Sequence, residues 1–132
     1  MTNGIKPPTD REIIEGEIAT YWMDEGILVS LSKSIKRTVA NIGGNVKLVK
    51  EITGNKPVPL LIYLANSPMP DKETRRFSTE KLPEIYTAMA MVSKPGLTQL
   101  IMNILFKFKQ PPIPMKNFQD VEEAKEWLKQ YL

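Results

Sequence analysis

The sequence predicts an α/β fold: a mixed, mostly parallel β-sheet with an N-terminal antiparallel hairpin and about four helices, in the order β β α β α β α β α. Three observations carry this expectation. Two short runs rich in β-branched and aromatic residues, EIATYWM and GILVSL, are joined by Asp24-Glu25-Gly26, where the glycine supplies a hairpin turn. Further along, apolar runs alternate with stretches of helical period, which implies parallel strands joined by right-handed helical crossovers. A chain of 132 residues, 42% hydrophobic and 25% charged, is long enough and apolar enough to bury one core without staples.

In chain order, residues 1–14 are polar and proline-rich, so they read as a flexible N-terminal arm, poorly ordered or laid along the edge of a domain spanning 15–132. In the hairpin, alternation places Ile27, Val29 and Leu31 on one face. From Ser34 the period turns helical: Ile35, Val39, Ile42, Val46 and Val49 make an amphipathic stripe, with Ser34 as the expected N-cap and Gly54 just past the end. Inside this helix, Gly43-Gly44 costs about 1 kcal/mol per glycine relative to alanine. Close helix-sheet packing or a break in the helix would account for the pair, and close approach of a ligand is the alternative.

VPLLIYLA, an apolar run flanked by prolines, reads as a strand buried on both faces. A loop, NSPMPD, leads to a short polar helix, DKETRRF. IYTAMAMVS is a second buried strand, and PGLTQLIMNILFKFK opens a helix with proline in its first turn. PMKNF is a short strand. DVEEAKEWLKQYL closes the chain as a helix with Asp120 and Glu123 as a capping-box variant, its buried stripe made by Val121, Ala124, Trp127, Leu128 and Tyr131.

Composition excludes much chemistry. There is no cysteine and no histidine, which removes disulfides, thiolate nucleophiles, the usual zinc sites and Ser-His or Cys-His catalysis. Neither G-x-G-x-x-G nor G-x-x-x-x-G-K occurs, so there is no phosphate-binding glycine loop. The net charge of +3 is mild and interspersed, and no aromatic-basic recognition pattern is present, so nucleic acid is an unlikely partner. No apolar run reaches the ~18 residues of a membrane span, and the N-terminus lacks the apolar core of a signal peptide. A cytoplasmic protein without cofactor or metal, and not an enzyme, is the expectation.

The block AMAMVSKPGLTQLIMNILFKFKQPPIPMKNFQDVEEAKEWLKQYL, with PVPLLIYLAN and DKETRRF upstream, resembles the SpoIIAA-like STAS domains of bacteria, also described as STAS/Sec14-like. The resemblance covers about residues 16–132. It implies a small α/β domain that acts as a binding or regulatory module, through protein-protein contact or self-association as a homodimer. In the anti-sigma-factor antagonists of that family, a serine at the start of the helix after the third strand is phosphorylated. This chain departs there: Asp71 stands near that place, and Ser67 lies close by but precedes a proline. The residues themselves read more simply, because aspartate is a preferred N-cap. A constitutive mimic of a phosphorylated state is the alternative for Asp71. The neighbouring charges Glu73, Arg75 and Arg76 read as a solvated helix surface.

On the helix from Pro95, Leu97, Leu100, Ile101, Ile104, Leu105 and Phe108 form one core stripe at about 100° per residue. Met102 and Phe106 fall outside it, with Lys107 and Lys109 beside them. An apolar pair beyond the core stripe reads as a face covered by other parts of the chain, as a self-association surface, or as contact with a lipid-like apolar ligand or a membrane surface. Met102, Phe106, Lys107 and Lys109 are therefore the candidate ligand or partner patch. Ser67 and Asp71 are the candidate regulatory position.

Overall fold

The computed structural model describes residues 6–65, 68, 70–92 and 112–132. Six strands lie side by side in chain order: β1 (Ile14–Glu15), β2 (Ala19–Asp24), β3 (Ile27–Ser32), β4 (Val58–Tyr63), β5 (Tyr86–Val92) and β6 (Met115–Phe118). The first three pair antiparallel, and β3 through β6 pair parallel. The expected mixed, mostly parallel sheet is thus present. One strand is additional: Ile14–Glu15 adds to the hairpin through Ile14↔Tyr21 and Glu15↔Thr20, so β1, not the hairpin, forms the antiparallel edge. A two-residue strand is too short to show a period, which is why alternation does not announce it.

The hairpin turns on two residues. Glu25 and Gly26 both have positive φ, 53° and 86°, the backbone of a type I′ turn, which matches the twist of the strands it joins. Beside this turn, the Asp24 carboxylate meets Lys125 at 2.7 Å and Arg11 at 3.2 Å. Arg11 also donates to the Met23 carbonyl at 3.0 Å. One carboxylate thereby ties the hairpin to the last helix and to the segment that precedes β1.

Three of the expected helices fall within the described residues: α1 (Val39–Thr53), α2 (Lys72–Ile85) and α3 (Val121–Leu128), the last followed by a 3₁₀ turn at Lys129–Tyr131. The helix expected from Pro95 lies outside them. Helix α1 starts later than its apolar stripe predicts. Its cap is Thr38, not Ser34: Thr38 Oγ1 accepts from the Asn41 N–H at 3.1 Å, and Asn41 Oδ1 accepts from the Thr38 N–H at 2.8 Å. The reason lies just upstream, where the Arg37 guanidinium donates to the carbonyls of Lys33 and Ile35. Ile35 still packs on the same core as Ile42, Val46 and Val49, but from the turn before the helix. At the other end, Gly54 is the left-handed C-cap, with φ 66°, as its position predicts.

Helix α1 runs unbroken through Gly43-Gly44. A Cβ on Gly43 would lie 3.8 Å from the Phe77 ring of α2, and one on Gly44 would have nothing within 4 Å. The pair is therefore not explained by a break or by close packing on the sheet. Gly43 faces a neighbouring helix at ordinary contact distance, and Gly44 is exposed.

Helix α2 is twice as long as DKETRRF predicts, continuing to Ile85 through Pro83. Its apolar positions are sparse, so the helical period is weak in sequence; Leu82 and Ile85 nevertheless pack on the core and hold the last turn down. In α3 the cap is Asp120, which accepts from the Glu122 N–H at 3.1 Å. It is a simple N-cap without the reciprocal Glu123 bond, and the reciprocal box is found instead at Thr38-Asn41 of α1.

The sheet separates two apolar layers. On one face, Trp22, Ile27, Val29, Leu31, Leu61, Ala88, Ala90 and Phe118 pack with Ala124 and Leu128 of α3, bordered by Val121, Trp127 and Tyr131. On the other, Tyr21, Leu28, Leu60 and Tyr86 pack with Val46 and Val49 of α1 and Ile85 of α2. Helices α1 and α2 share a face because sequential parallel strands joined by right-handed crossovers put them there. Pro59 lies in the central strand β4 at a register shift, with Val58 opposite Tyr86 and Pro59 opposite Ala88. Proline cannot donate to the ladder, and the shift accommodates it. The residue left over on β5, Thr87, donates through Oγ1 to the Tyr131 carbonyl at 3.2 Å, so the irregularity also fastens the end of the chain.

Candidate functional site: a polar-floored cavity under the first two helices

Strand β3 reads ILVSLS. Its odd-numbered residues Ile27, Val29 and Leu31 fill the α3 face as alternation predicts. Its even-numbered residues Leu28, Ser30 and Ser32 point to the α1-α2 face, where both serines are buried, at 2% and 3% exposure. Two small hydroxyls on a central strand leave space where larger apolar side chains would otherwise meet the helices. That space is a cavity of about 290 Å³ between the sheet and α1-α2. Its apolar walls come from Ile18, Ile42, Leu60, Ile62, Leu82 and Met89, and its polar groups from Tyr21, Ser30, Ser32, Arg37, Asn45 and Tyr86 on the sheet and α1 side and from Ser78 and Lys81 of α2.

The polar groups on the sheet and α1 side form two clusters. Tyr21 stands opposite Ser30 in the β2-β3 ladder and donates its hydroxyl to Asn45 Oδ1 of α1 at 2.7 Å. Burial pushes the Tyr21 phenol up from its ordinary value, against the opposing hydrogen bonds of Asn45, Tyr86 and Ser30. Burial raises Tyr86 much further, with the nearby Tyr21 hydroxyl adding to the shift. Both phenols are therefore neutral hydrogen-bonding groups across the physiological range.

At the other cluster, Ser32 stands opposite Ala19, beside the turn that Arg37 organises. Arg37 donates to the carbonyls of Lys33 at 2.6 Å, Ile35 at 2.7 Å and Ile18 at 3.1 Å. Burial lowers its pKa, the only opposing effect being the electrostatic one of Tyr21. No carboxylate pairs with it among the described residues. The Ser32 hydroxyl likewise has no hydrogen-bond partner among them.

Two other hollows lie on the outer sides of α1, of about 490 and 420 Å³. Their charged groups are either paired or, for Glu12, Lys47 and Glu51, exposed to solvent. In the first, Arg11 serves Asp24 and the Met23 carbonyl. In the second, Glu84 holds Lys50 at 2.8 Å and Lys81 at 3.2 Å. The cavity under α1 is set apart by groups that the protein itself leaves unanswered.

A domain-family model described as "Domain of unknown function (DUF7793)" matches residues 21–132. The chain belongs to the DUF7793 family. A crystal structure of an uncharacterized protein of the DUF3478 family from Shewanella loihica PV-4, described as having a SpoIIAA-like fold, is similar over 95% of this chain and 99% of that one, with a TM-score of 0.53 at 16% identity. The fold of the DUF7793 domain is therefore SpoIIAA-like, as the sequence resemblance implies. No curated protein matches.

Of the residues singled out from sequence, Asp71 is the N-cap of α2. Its carboxylate accepts from the Thr74 N–H at 2.8 Å, and that bond holds its pKa below the ordinary value. Ser67, Met102, Phe106, Lys107 and Lys109 lie outside the described residues. Sequence reasoning passed over the cavity residues Tyr21, Ser30, Ser32, Arg37, Asn45 and Tyr86. A signal for two of them existed: serine at alternate positions of a strand otherwise made of isoleucine, leucine and valine. No group of three or more acidic side chains that could hold a metal ion occurs among the described residues. No helix among them is long and apolar enough to cross a membrane.

Proposed function

We propose that this DUF7793 domain is a non-enzymatic binding module whose ligand is a small, mainly apolar molecule held between the sheet and helices α1 and α2. The observation that carries the reading is the cavity of about 290 Å³ whose walls are aliphatic and whose polar groups converge from β2, β3, β5, the turn before α1, α1 and α2. Apolar concavity with a few oriented polar groups is the usual form of a small-molecule site, and the volume falls just below the roughly 300–1,000 Å³ typical of such sites, which suits a small ligand. Binding is favoured over catalysis by the chemistry of the lining. Tyr21 and Tyr86 have pKa values moved upward, away from the range useful to a general base. Ser30 and Ser32 are hydroxyls in a chain that has no histidine to activate them.

Regulation through a protein partner or a second copy, by way of Met102, Phe106, Lys107 and Lys109, is a compatible output for such a module. The experiment that tests the binding reading is titration of the full-length chain with 1-octanol and with octanoate, followed by amide chemical shifts. Saturable shifts at residues of β3 and α1 around the cavity support it. Flat titrations with both compounds, up to their solubility limits, refute it.

A further inference from the structure

The cavity carries a charge imbalance. Among the described residues it is lined by two cations, Arg37 and Lys81, and by no aspartate or glutamate. The two cations differ. Lys81 already pairs with Glu84 at 3.2 Å and lies 5.7 Å from the centre of the Phe77 ring. Arg37 has no acid. A guanidinium offers five N–H donors, and three are engaged: both on Nη1, by the carbonyls of Lys33 and Ile35, and one on Nη2, by that of Ile18. The Nε–H and the second Nη2–H remain. The three carbonyls fix the group in place, which removes most of the entropy cost of holding it ready for a ligand. They satisfy its hydrogen bonds in part and, being neutral dipoles, supply no counter-ion.

Ser32 lies at the same end of the cavity. Lys33, the next residue, gives its carbonyl to Arg37 and its N–H to the Ile18 carbonyl at 2.9 Å. The Ile18 carbonyl is in turn the one that Arg37 Nη2 reaches. The buried, unpartnered Ser32 hydroxyl and the unanswered cation therefore border one corner, and the aliphatic walls occupy the rest.

Resting on the binding reading above, we infer that the ligand is a small amphipathic carboxylate, its anionic head at Arg37 and Ser32 and its hydrocarbon body along Ile42, Leu60, Ile62 and Met89. A carboxylate, with two acceptor oxygens and a full negative charge, suits the two remaining guanidinium donors. The Ser32 hydroxyl can donate to the same head. A fully hydrated inorganic anion would leave the aliphatic walls without a partner, and a neutral chain would leave the arginine charge without one.

The test is isothermal titration of the full-length chain with octanoate, 1-octanol and inorganic phosphate, on wild type, Arg37→Gln and Ser32→Ala. Octanoate is expected to bind wild type at least tenfold more tightly than octanol. Arg37→Gln should abolish that difference, and Ser32→Ala should weaken octanoate severalfold. Equal binding of octanoate and octanol to wild type overturns the carboxylate assignment and leaves the cavity reading standing. Phosphate binding without octanoate binding also overturns it. Absence of binding by all three compounds overturns both readings. If Arg37→Gln does not fold, the octanoate-octanol difference on wild type and the Ser32→Ala titration decide the question.

Discussion

Replacing Gly44 by alanine is expected to stabilise the domain. Gly44 lies within the unbroken helix α1, and a Cβ there would have nothing within 4 Å. The substitution therefore adds no clash and removes no contact. What remains is helix propensity: alanine is favoured over an interior glycine by about 0.8–1.0 kcal/mol, because glycine loses more backbone freedom on folding. Gly43→Ala should give a similar gain. Its Cβ would meet the Phe77 ring at 3.8 and 3.9 Å, ordinary contacts that add about 0.1–0.2 kcal/mol each. The double variant should approach about 2 kcal/mol, because helix propensity is counted residue by residue and the two Cβ atoms lie on different sides of the helix. In a domain of 132 residues, 1 kcal/mol corresponds to a rise in Tm of about 3–5 °C. Urea denaturation checks this directly: the midpoint should rise with the slope unchanged. A destabilised Gly44→Ala, or a changed slope, would refute the continuous helix with open space at Gly44 from which the gain is calculated.

Three further predictions concern single residues. Asp24→Asn should lower stability by about 1 kcal/mol near neutral pH, the upper part of the range for partly exposed pairs, because it breaks the links to Lys125 and Arg11. Lys125 above all holds the Asp24 pKa below its ordinary 3.8. The contribution is therefore fully present above that value and is lost as pH falls through the lowered folded-state value. Lys125 is raised above 10.5, mainly by Asp24, so its share is present below that pH and lost as pH rises through the folded-state value. The difference between wild type and variant should narrow as pH falls through the lowered Asp24 value and, in part, as pH rises through the raised Lys125 value, the Arg11 link remaining; a difference that does not change with pH would contradict the assignment.

Asp71→Ala should loosen the start of α2, whereas Asp71→Ser, which keeps a capping oxygen, should behave like wild type in amide exchange at Thr74 and Arg75. Equal protection of these amides in the alanine variant would remove the cap from the account. At the hairpin, Glu25→Asn should stabilise and Gly26→Ala should destabilise, the latter by roughly 1–2 kcal/mol or more. Gly26 has φ 86°, and an added Cβ would come 2.9 Å from Leu132 Cδ2. Thermal melts of the two variants should shift in opposite directions.

The layout of the fold is written locally in the sequence. β3 and β4 are legible because alternation and long apolar runs arise from the pleat, where successive side chains face opposite ways. The stripe of α3 is legible for the same kind of reason, with Ala124 and Leu128 recurring on the buried face. Gly54 and Asp71 are readable as caps because a helix end demands particular chemistry of one residue. Where the period is faint, as in the second half of α2, or too short to count, as in β1, tertiary packing alone decides the element. The start of α1 belongs to the same class: its apolar stripe begins at Ile35, and only the Arg37 bonds to neighbouring carbonyls delay the helix to Val39.

The candidate site was far less legible, and the reason is geometric. Tyr21, Ser32, Arg37 and Tyr86 come from β2, β3, the turn before α1 and β5, and no spacing in the chain records that they border one cavity. What the sequence determines by itself is which faces are apolar, which chemistries are missing, and hence a mostly parallel α/β sheet in a chain without cysteine or histidine. What only the tertiary structure decides is that two serines of β3 open a space beneath α1, and that an arginine fixed by three carbonyls meets that space without a carboxylate. Local periodicity specifies surfaces to be buried, whereas a cavity and its unanswered charge exist only once those surfaces have met.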